Sequence, residues 1–104
     1  MYTYKARVNR VLKSNMVNLT IDLGFDQSHI INCILYNVEV TDDSETKMRR
    51  LLQEFLPEKK QIYINSIELD EFGRPIVKIY TYFDNGVVDH MSINDYMLLE
   101  HLIH

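Results

Sequence analysis

The sequence is poor in the residues that cross-link or interrupt a small protein. Its 104 residues contain one cysteine, two prolines, three glycines and no tryptophan. Cys33, in the apolar run IINCILY, has no partner for a disulfide or a metal cluster, which favours a buried, inert thiol. No apolar run approaches the roughly 20 residues that span a bilayer, and the segment MYTYKARVNRV lacks the apolar core of a signal peptide. We therefore expect a cytoplasmic protein without a membrane partner.

Positive charge is absent from the last quarter of the sequence, where no lysine or arginine follows Lys78. The net charge is −4, and an acidic protein is repelled by nucleic acid, because affinity for nucleic acid depends on neutralising phosphates. Composition therefore disfavours a nucleic-acid partner. The segment before the first acidic residue, Asp22, nevertheless carries only basic charges and supplies four candidate binding residues: Lys5, Arg7, Arg10 and Lys13. Arg74, in the turn DEFGRP, is the fifth candidate.

Apolar residues make up 46% of the chain and charged residues 25%, which are ordinary values for a folded domain. A chain of this length has room for one hydrophobic core, so we predict a single domain over residues 1–104. We expect this domain to fold alone or as a small oligomer.

Three strands are predicted in the first third of the chain. MVNLTIDL alternates apolar and polar residues, the pattern of a half-buried strand. YTYKARVNRVL before it is rich in tyrosine and valine, and HIINCILY after it is a continuous apolar run typical of a central strand. The connections KSN and GFDQS are typical of hairpins, with a positive φ available at Gly24.

Helical periodicity replaces this alternation in TDDSETKMRRLLQEFLP, where possible N-caps precede an apolar face and Pro57 ends the helix. Two further strands, QIYINSIEL and IVKIYTYF, flank the turn DEFGRP, and DNG indicates another hairpin. Ser92 and Asp95 form a capping pattern for a final helix in INDYMLLEHLI. This order predicts a mainly β (α+β) fold, an antiparallel five-stranded Greek-key barrel with an inserted helix and a C-terminal helix.

Histidines in the C-terminal part of the chain do not form a metal motif. His101 and His104 are three residues apart and His90 precedes them, but no cysteine accompanies them. Surface histidines explain the pattern, so we expect no metal ligand and no cofactor.

Five segments resemble, in order and spacing, the staphylococcal-nuclease-like (thermonuclease) family, particularly its short phage and archaeal members. They are YKARVNRVL, IDLGF, ILYNVEVTD, DEFGRPIVKIY and INDYMLLEHLI, which together extend over nearly the whole chain. IDLGF and DEFGRP are the most specific, because they resemble the family's IDLGF hairpin and its D-x-[YF]-G-R turn. The resemblance implies an OB-fold five-stranded barrel with helices.

Active members of that family cut nucleic acid with a calcium ion held by carboxylates, a glutamate that activates water, and two arginines that clamp the phosphate. Carboxylates suit this hard cation, and bidentate arginine offsets charge on phosphoryl oxygens. The resemblance places the following residues on these positions: Asn15 and Glu39 at metal-binding aspartates, Ile34 at the first arginine, Asp42 at the glutamate and Arg74 at the second arginine. We name these five the remnant positions.

Three of the remnant positions have lost the chemistry that the family requires. An aliphatic Ile34 cannot contact phosphate, and losing such an arginine costs about 10³ to 10⁵ in rate. Asn15 has lost a metal-binding charge, with Lys13 beside it, and Asp42 is one methylene shorter than glutamate. The resemblance therefore implies a catalytically inactive domain, in which Arg74 is expected to pair with Asp70, Glu71 or Asp42.

Our first hypothesis is a catalytically inactive binding module, such as a phage-encoded inhibitor or accessory protein that engages a host protein. Its groove or an exposed strand edge would serve recognition, including self-association as a homo-oligomer. One alternative is a divergent Ca²⁺-dependent nuclease or phosphodiesterase that uses Glu39, Asp42 and Arg74, with Asn15 as a neutral ligand. Another is a non-catalytic binder of single-stranded nucleic acid that uses Lys5, Arg7 and Arg10.

Overall fold

The structure is a computed structural model that describes residues 3–38, 41–81, 83–84, 87–88 and 92–103. The strands in these ranges are β1 (Thr3–Lys13), β2 (Met16–Gly24), β3 (Gln27–Leu35), β4 (Gln61–Leu69), β5 (Pro75–Tyr80), β6 (Phe83–Asp84) and β7 (Val87–Val88). The helices are α1 (Glu45–Phe55), between β3 and β4, and α2 (Ile93–Ile103), after β7. The predicted order of strands and helices is confirmed.

The five long strands form a closed barrel in the order β1-β2-β3-β5-β4, and β4 pairs again with β1. This is a Greek-key barrel of the OB type, so the predicted fold class is confirmed. One pairing departs from the predicted antiparallel sheet, since β3 and β5 run parallel. Parallel neighbours need a long connection, which α1 and β4 provide.

The core is formed by the inward-facing residues of the alternating strands. In β2, Val17, Leu19 and Ile21 are buried, while Asn18 and Thr20 between them face outward, as the sequence predicts. The helices pack against the same core through Leu52 of α1 and Met97 of α2, both fully buried. The barrel and both helices therefore share one hydrophobic core.

Helix α2 is fixed at its start by a capping box and by Asn94. The Asp95 N–H donates to Ser92 Oγ at 3.2 Å and the Ser92 N–H donates to Asp95 Oδ2 at 3.3 Å, which confirms the predicted cap. The buried Asn94 amide donates to the carbonyl oxygens of Tyr36 and Val77 and accepts the Ile79 N–H. One side chain thus ties α2 to β5 and to the segment after β3.

Helix α1 begins without the side-chain cap that its polar N-terminal segment predicts. Ser44 occupies the cap position, but its hydroxyl makes hydrogen bonds with the hydroxyl and carbonyl oxygens of Thr41 rather than with a helix amide. At the other end, the Leu56 N–H donates to the Leu52 carbonyl, and Pro57 follows as predicted.

Strand β3 differs most from its prediction. It pairs with β2 along its length, but it pairs with β5 only at Ile34 and Leu35. Residues 28–33 therefore have a neighbouring strand on one side alone within the described chain. The reason is that the β4–β5 turn reverses the chain just before Pro75, so β5 begins too late to cover this part of β3. The apolar run predicts a central strand, yet Ile30 is 67% exposed.

The β2–β3 turn also has an unexpected backbone. Gly24 has a φ of 80°, as predicted, but the next two residues are left-handed as well, with φ of 53° at Phe25 and 60° at Asp26. Positive φ at both central residues is the geometry of a type I′ hairpin turn, which usually employs asparagine or glycine. The predicted Asn85–Gly86 turn lies outside the described residues.

Within the described part of the chain, neither α1 nor α2 has the length and apolar character needed to cross a membrane.

Candidate binding surface

Two of the remnant positions lie next to each other in an apolar environment. The Asn15 carbonyl, in the β1–β2 turn, accepts the Leu35 N–H at 2.8 Å. Ile34 pairs with Met16 of β2 on one side and with Ile76 of β5 on the other. Directly paired residues share a face of the sheet, so Met16, Ile34 and Ile76 form an aliphatic stripe. This stripe offers no charge and no hydrogen bond to a phosphate.

Arg74 pairs with Asp70, which is one of the three partners predicted from the sequence. Its Nε donates to Asp70 Oδ2 at 2.7 Å, its backbone N–H donates to Oδ1 at 2.8 Å, and its guanidinium lies 5.2 Å from the centre of the Phe72 ring. The Phe72 N–H also donates to Oδ1, at 2.9 Å. Gly73, with a φ of 79°, completes a self-contained turn, as predicted. This network gives Arg74 a structural role that needs no substrate.

The Asp70 carboxylate organises this turn as an anion. Partial desolvation acts to raise the pKa of Asp70, but hydrogen bonds from Arg74 and the Phe72 amide, together with the Arg74 charge, outweigh it. The pKa of Asp70 therefore lies below its ordinary value of 3.8. The charged form is the one that the turn stabilises.

The remaining acidic remnant positions do not extend this network. Asp42 is exposed before α1 and makes no hydrogen bond or ion pair with another described residue. Glu39 lies outside the described residues, as do His90 and His104. In the ranges that the structure describes, no group of three or more histidine, cysteine, aspartate or glutamate side chains is placed to hold a metal ion.

A buried contact between Ser14 and Glu45 was not predicted. Ser14 is fully buried in the β1–β2 turn, and its Oγ donates to Glu45 Oε2 at 2.6 Å while its N–H donates to Oε1 at 3.1 Å. Glu45 is the first residue of α1, where a carboxylate is also favoured by the helix dipole. The contact attaches the β1–β2 turn, which contains Asn15, to helix α1.

Four of the five basic binding candidates lie exposed on β1, where a register shift between Val8 and Arg10 divides them, whereas Arg74 lies in the β4–β5 turn. Beside them runs a ladder of amide and hydroxyl groups that was not predicted. Asn9 Nδ2 donates to Asn18 Oδ1 and to Thr20 Oγ1, both at 2.9 Å, and Asn18 Nδ2 donates to Asn32 Oδ1 at 2.7 Å. The ladder links the outer faces of β1, β2 and β3, and the alternation of polar residues in β2 was its only signal in the sequence.

One end of the barrel is open between its five strands. A cavity of about 220 Å³ opens there, and each of the five strands contributes to its lining, including Leu23, Ile31, Ile64 and Pro75. Leu23 in this lining is half exposed, and four other large apolar side chains of the described chain have at least half of their surface exposed: Phe25, Ile30, Leu69 and Phe72. We call this cavity the barrel mouth.

The uncovered part of β3 borders the barrel mouth. Its residues 28–33, SHIINC, include no lysine, arginine, aspartate, glutamate, proline or glycine, and β3 itself contains no bulge. Native sheets usually protect an edge with charges, proline or a bulge. We call residues 28–33 the β3 edge, and this edge has none of these protections.

No protein-family model matches the chain, and no curated protein sequence matches it.

Proposed function

We propose that this chain is a catalytically inactive, staphylococcal-nuclease-like OB-fold domain that binds a protein partner in the cytoplasm through the β3 edge. The observation that carries the proposal is the unprotected edge itself, which pairs with β2 on one side and has no strand on its other side within the described residues. An extended segment of a partner can add to such an edge through main-chain hydrogen bonds. We propose an inhibitor or accessory role for binding of this kind.

The barrel mouth supplies specificity for the added strand. A strand placed beside the β3 edge continues the barrel wall, so its alternate side chains point inward. His29 and Ile31 of β3 and Pro75 of β5 line the mouth on either side of this gap. The partner segment is therefore expected to carry apolar residues at alternate positions, and the opposite face of that segment would lie beside Ile30.

The aliphatic stripe supports binding without cleavage. Phosphoryl transfer depends on cations that offset charge on the phosphoryl oxygens. The stripe places Ile34 between Met16 and Ile76 on the position where the resemblance expects a phosphate-binding arginine. Asn15 beside it is neutral, which removes one metal-binding charge.

The test is a capture experiment in which three proteins are used as bait in an extract of the source organism. They are the wild-type protein, the variant Ile30→Lys and the control Gln53→Lys. Both sites are exposed, so both variants are expected to fold. Lysine on an edge strand of a native sheet disfavours pairing with another strand. Ile30→Lys is therefore expected not to bind the partner, whereas Gln53→Lys, on α1, should still bind it. Hydrogen exchange in the captured complex should then show new protection at residues 28–33.

Sedimentation of the purified protein covers the case in which the partner is a second copy of the chain. In that case wild type and Gln53→Lys dimerise, and Ile30→Lys is monomeric. Partner capture that is unchanged by Ile30→Lys, with no new protection of the β3 edge, contradicts the proposal.

A further inference from the structure

A second cavity lies on the outer face of the barrel, beneath the β2–β3 turn, where β4, β1 and β2 run side by side. Its volume is about 580 Å³. Lys5 and Arg7 of β1, Thr20 of β2 and Gln61 of β4 form part of its wall. It shares no lining residue with the barrel mouth and includes none of the remnant positions. We call it the outer cavity.

Unfavourable backbone conformations are concentrated in the outer cavity. Four described residues other than glycine have a positive φ, and three of them line this cavity: Phe25 at 53°, Asp26 at 60° and Lys59 at 72°. Left-handed conformations are unfavourable for most residues with a Cβ, and most of all for bulky ones such as phenylalanine, whereas aspartate tolerates them. Such residues cluster at ligand sites, where the surrounding structure holds them in place.

The strained Lys59 is held against β1 by the backbone. Its N–H donates to the Val8 carbonyl at 2.7 Å, and the Val8 N–H donates to the Lys60 carbonyl at 2.9 Å. These bonds place the loop after α1 beside the strand that carries Lys5 and Arg7. The cationic side chains of the outer cavity therefore come from two separate segments.

The charge of the outer cavity favours a small anion. Lys5, Arg7 and Lys59 make no ion pair or side-chain hydrogen bond with another described residue.

Two carboxylates, Asp22 and Asp26, also line the cavity, so three cations face two anions. Asp22 Oδ1 already accepts the Gly24 N–H at 2.8 Å. A single phosphate can contact the cations, whereas a long polyanion would be repelled by the carboxylates.

Phe25 adds an unpacked aromatic face to the cavity. Its side chain is 100% exposed although it lies in the lining of a concave surface. No core contact explains a phenylalanine at a turn position that usually takes asparagine or glycine. An exposed ring beside cations is well suited to stack on a flat ring of a ligand.

We propose that the outer cavity binds a small ligand that carries both a planar ring and a phosphate, the chemical class of the mononucleotides. Phe25 stacks on the ring, Arg7 and Lys59 contact the phosphate, and Gln61 supplies hydrogen bonds. The cavity volume lies in the range of about 300 to 1,000 Å³ that is usual for small-ligand sites. Ser28 of the cavity lining also belongs to the β3 edge, but none of the ligand contacts proposed here uses Ser28, so the site does not require a partner at that edge.

The test is an NMR titration of the ¹⁵N-labelled protein with adenosine 5′-monophosphate, with adenosine and ribose 5-phosphate as partial probes. We expect saturable shifts at the amides of the outer cavity, and weaker binding of each partial probe. Arg7→Gln should weaken binding of the monophosphate at least about tenfold, the size of a lost charged hydrogen bond. Arg10→Gln, on the same strand but outside the cavity, should leave it unchanged.

Three results would overturn this assignment: no saturable shift at millimolar monophosphate, shifts that centre outside the outer cavity, or equal losses in Arg7→Gln and Arg10→Gln. Tighter binding of a single-stranded oligonucleotide than of the monophosphate would also overturn it, in favour of a nucleic-acid surface. Partner capture and hydrogen exchange at the β3 edge do not depend on this titration, so failure here leaves the proposed protein-binding function to its own test.

Discussion

Arg74 donates from Nε to Asp70 Oδ2 at 2.7 Å, and its own backbone N–H donates to Oδ1 of the same carboxylate. One aspartate therefore closes the β4–β5 turn and engages the side chain of the arginine that ends it. The turn DEFGRP is explained by this geometry, because its glycine is left-handed and its aspartate accepts three of the bonds that hold it.

Asp70→Asn is expected to destabilise the protein at neutral pH and to matter less in acid. The pKa of Asp70 is lowered in the folded state, so its stabilisation is complete above the ordinary pKa of 3.8. The stabilisation is lost as the pH falls below 3.8 through the folded-state pKa. Urea unfolding at several pH values measures the difference between wild type and variant, with the exposed Glu71→Gln as the control. A difference that is independent of pH would contradict this account.

Ser14→Ala is expected to lower the free energy of unfolding by about 1–3 kcal/mol, because it removes a hydrogen bond from a buried hydroxyl to a partly exposed carboxylate. The Ser14 Oγ donates to Glu45 at 2.6 Å, and the serine is fully buried. Urea unfolding of Ser14→Ala and of the exposed Ser28→Ala gives the comparison. Equal stability of the two variants would show that the contact does not hold the β1–β2 turn to α1.

Phe25→Gly is expected to raise the free energy of unfolding by about 0.5–1 kcal/mol, because glycine accepts a positive φ without strain. Its ring is fully exposed, so little packing is lost. Phe72→Gly is the matched control: Phe72 is also exposed, but it has no positive φ and its ring lies beside Arg74. Thermal unfolding should therefore separate the two in opposite directions. A loss of stability in both would refute strain at Phe25.

Cys33 is expected to resist thiol reagents in the folded protein. Burial raises the pKa of the thiol from its ordinary 9.0 to about 12, so the reactive thiolate is scarce at neutral pH. The unfolded chain releases this proton near pH 9, so stability should also fall as the pH rises from about 9 toward 12. Labelling with a chromogenic disulfide in buffer and in urea measures the protection. Rapid labelling of the native protein would be inconsistent with the buried thiol.

Local patterns predicted the fold well. Alternation in MVNLTIDL identified Val17, Leu19 and Ile21 as buried, although Leu23 at its end is half exposed. Ser92 with Asp95 identified the start of α2. The β3 edge could not be predicted, because an apolar run shows hydrophobicity but not whether a second neighbouring strand extends far enough to cover it.

The candidate binding surface and the outer cavity depend on contacts between residues far apart in the sequence, which a local sequence pattern does not predict. Ser14 and Glu45 are 31 residues apart, and nothing in either segment links them. The amide ladder from Asn9 to Asn32 requires the register of three strands, and the outer cavity requires Lys59 to lie beside β1. The pairing of Arg74 with Asp70 was predictable because both residues belong to one short turn.

The central claim, that this barrel binds without cutting, is tested most directly by a cleavage assay on DNA and RNA with and without Ca²⁺. Wild type is compared with Asp42→Ala, whose site is exposed and without a hydrogen bond or ion pair in the described chain. We expect the wild-type protein to cleave no more DNA or RNA than the variant, both with and without Ca²⁺. Ca²⁺-dependent cleavage by wild type that disappears in Asp42→Ala would contradict it.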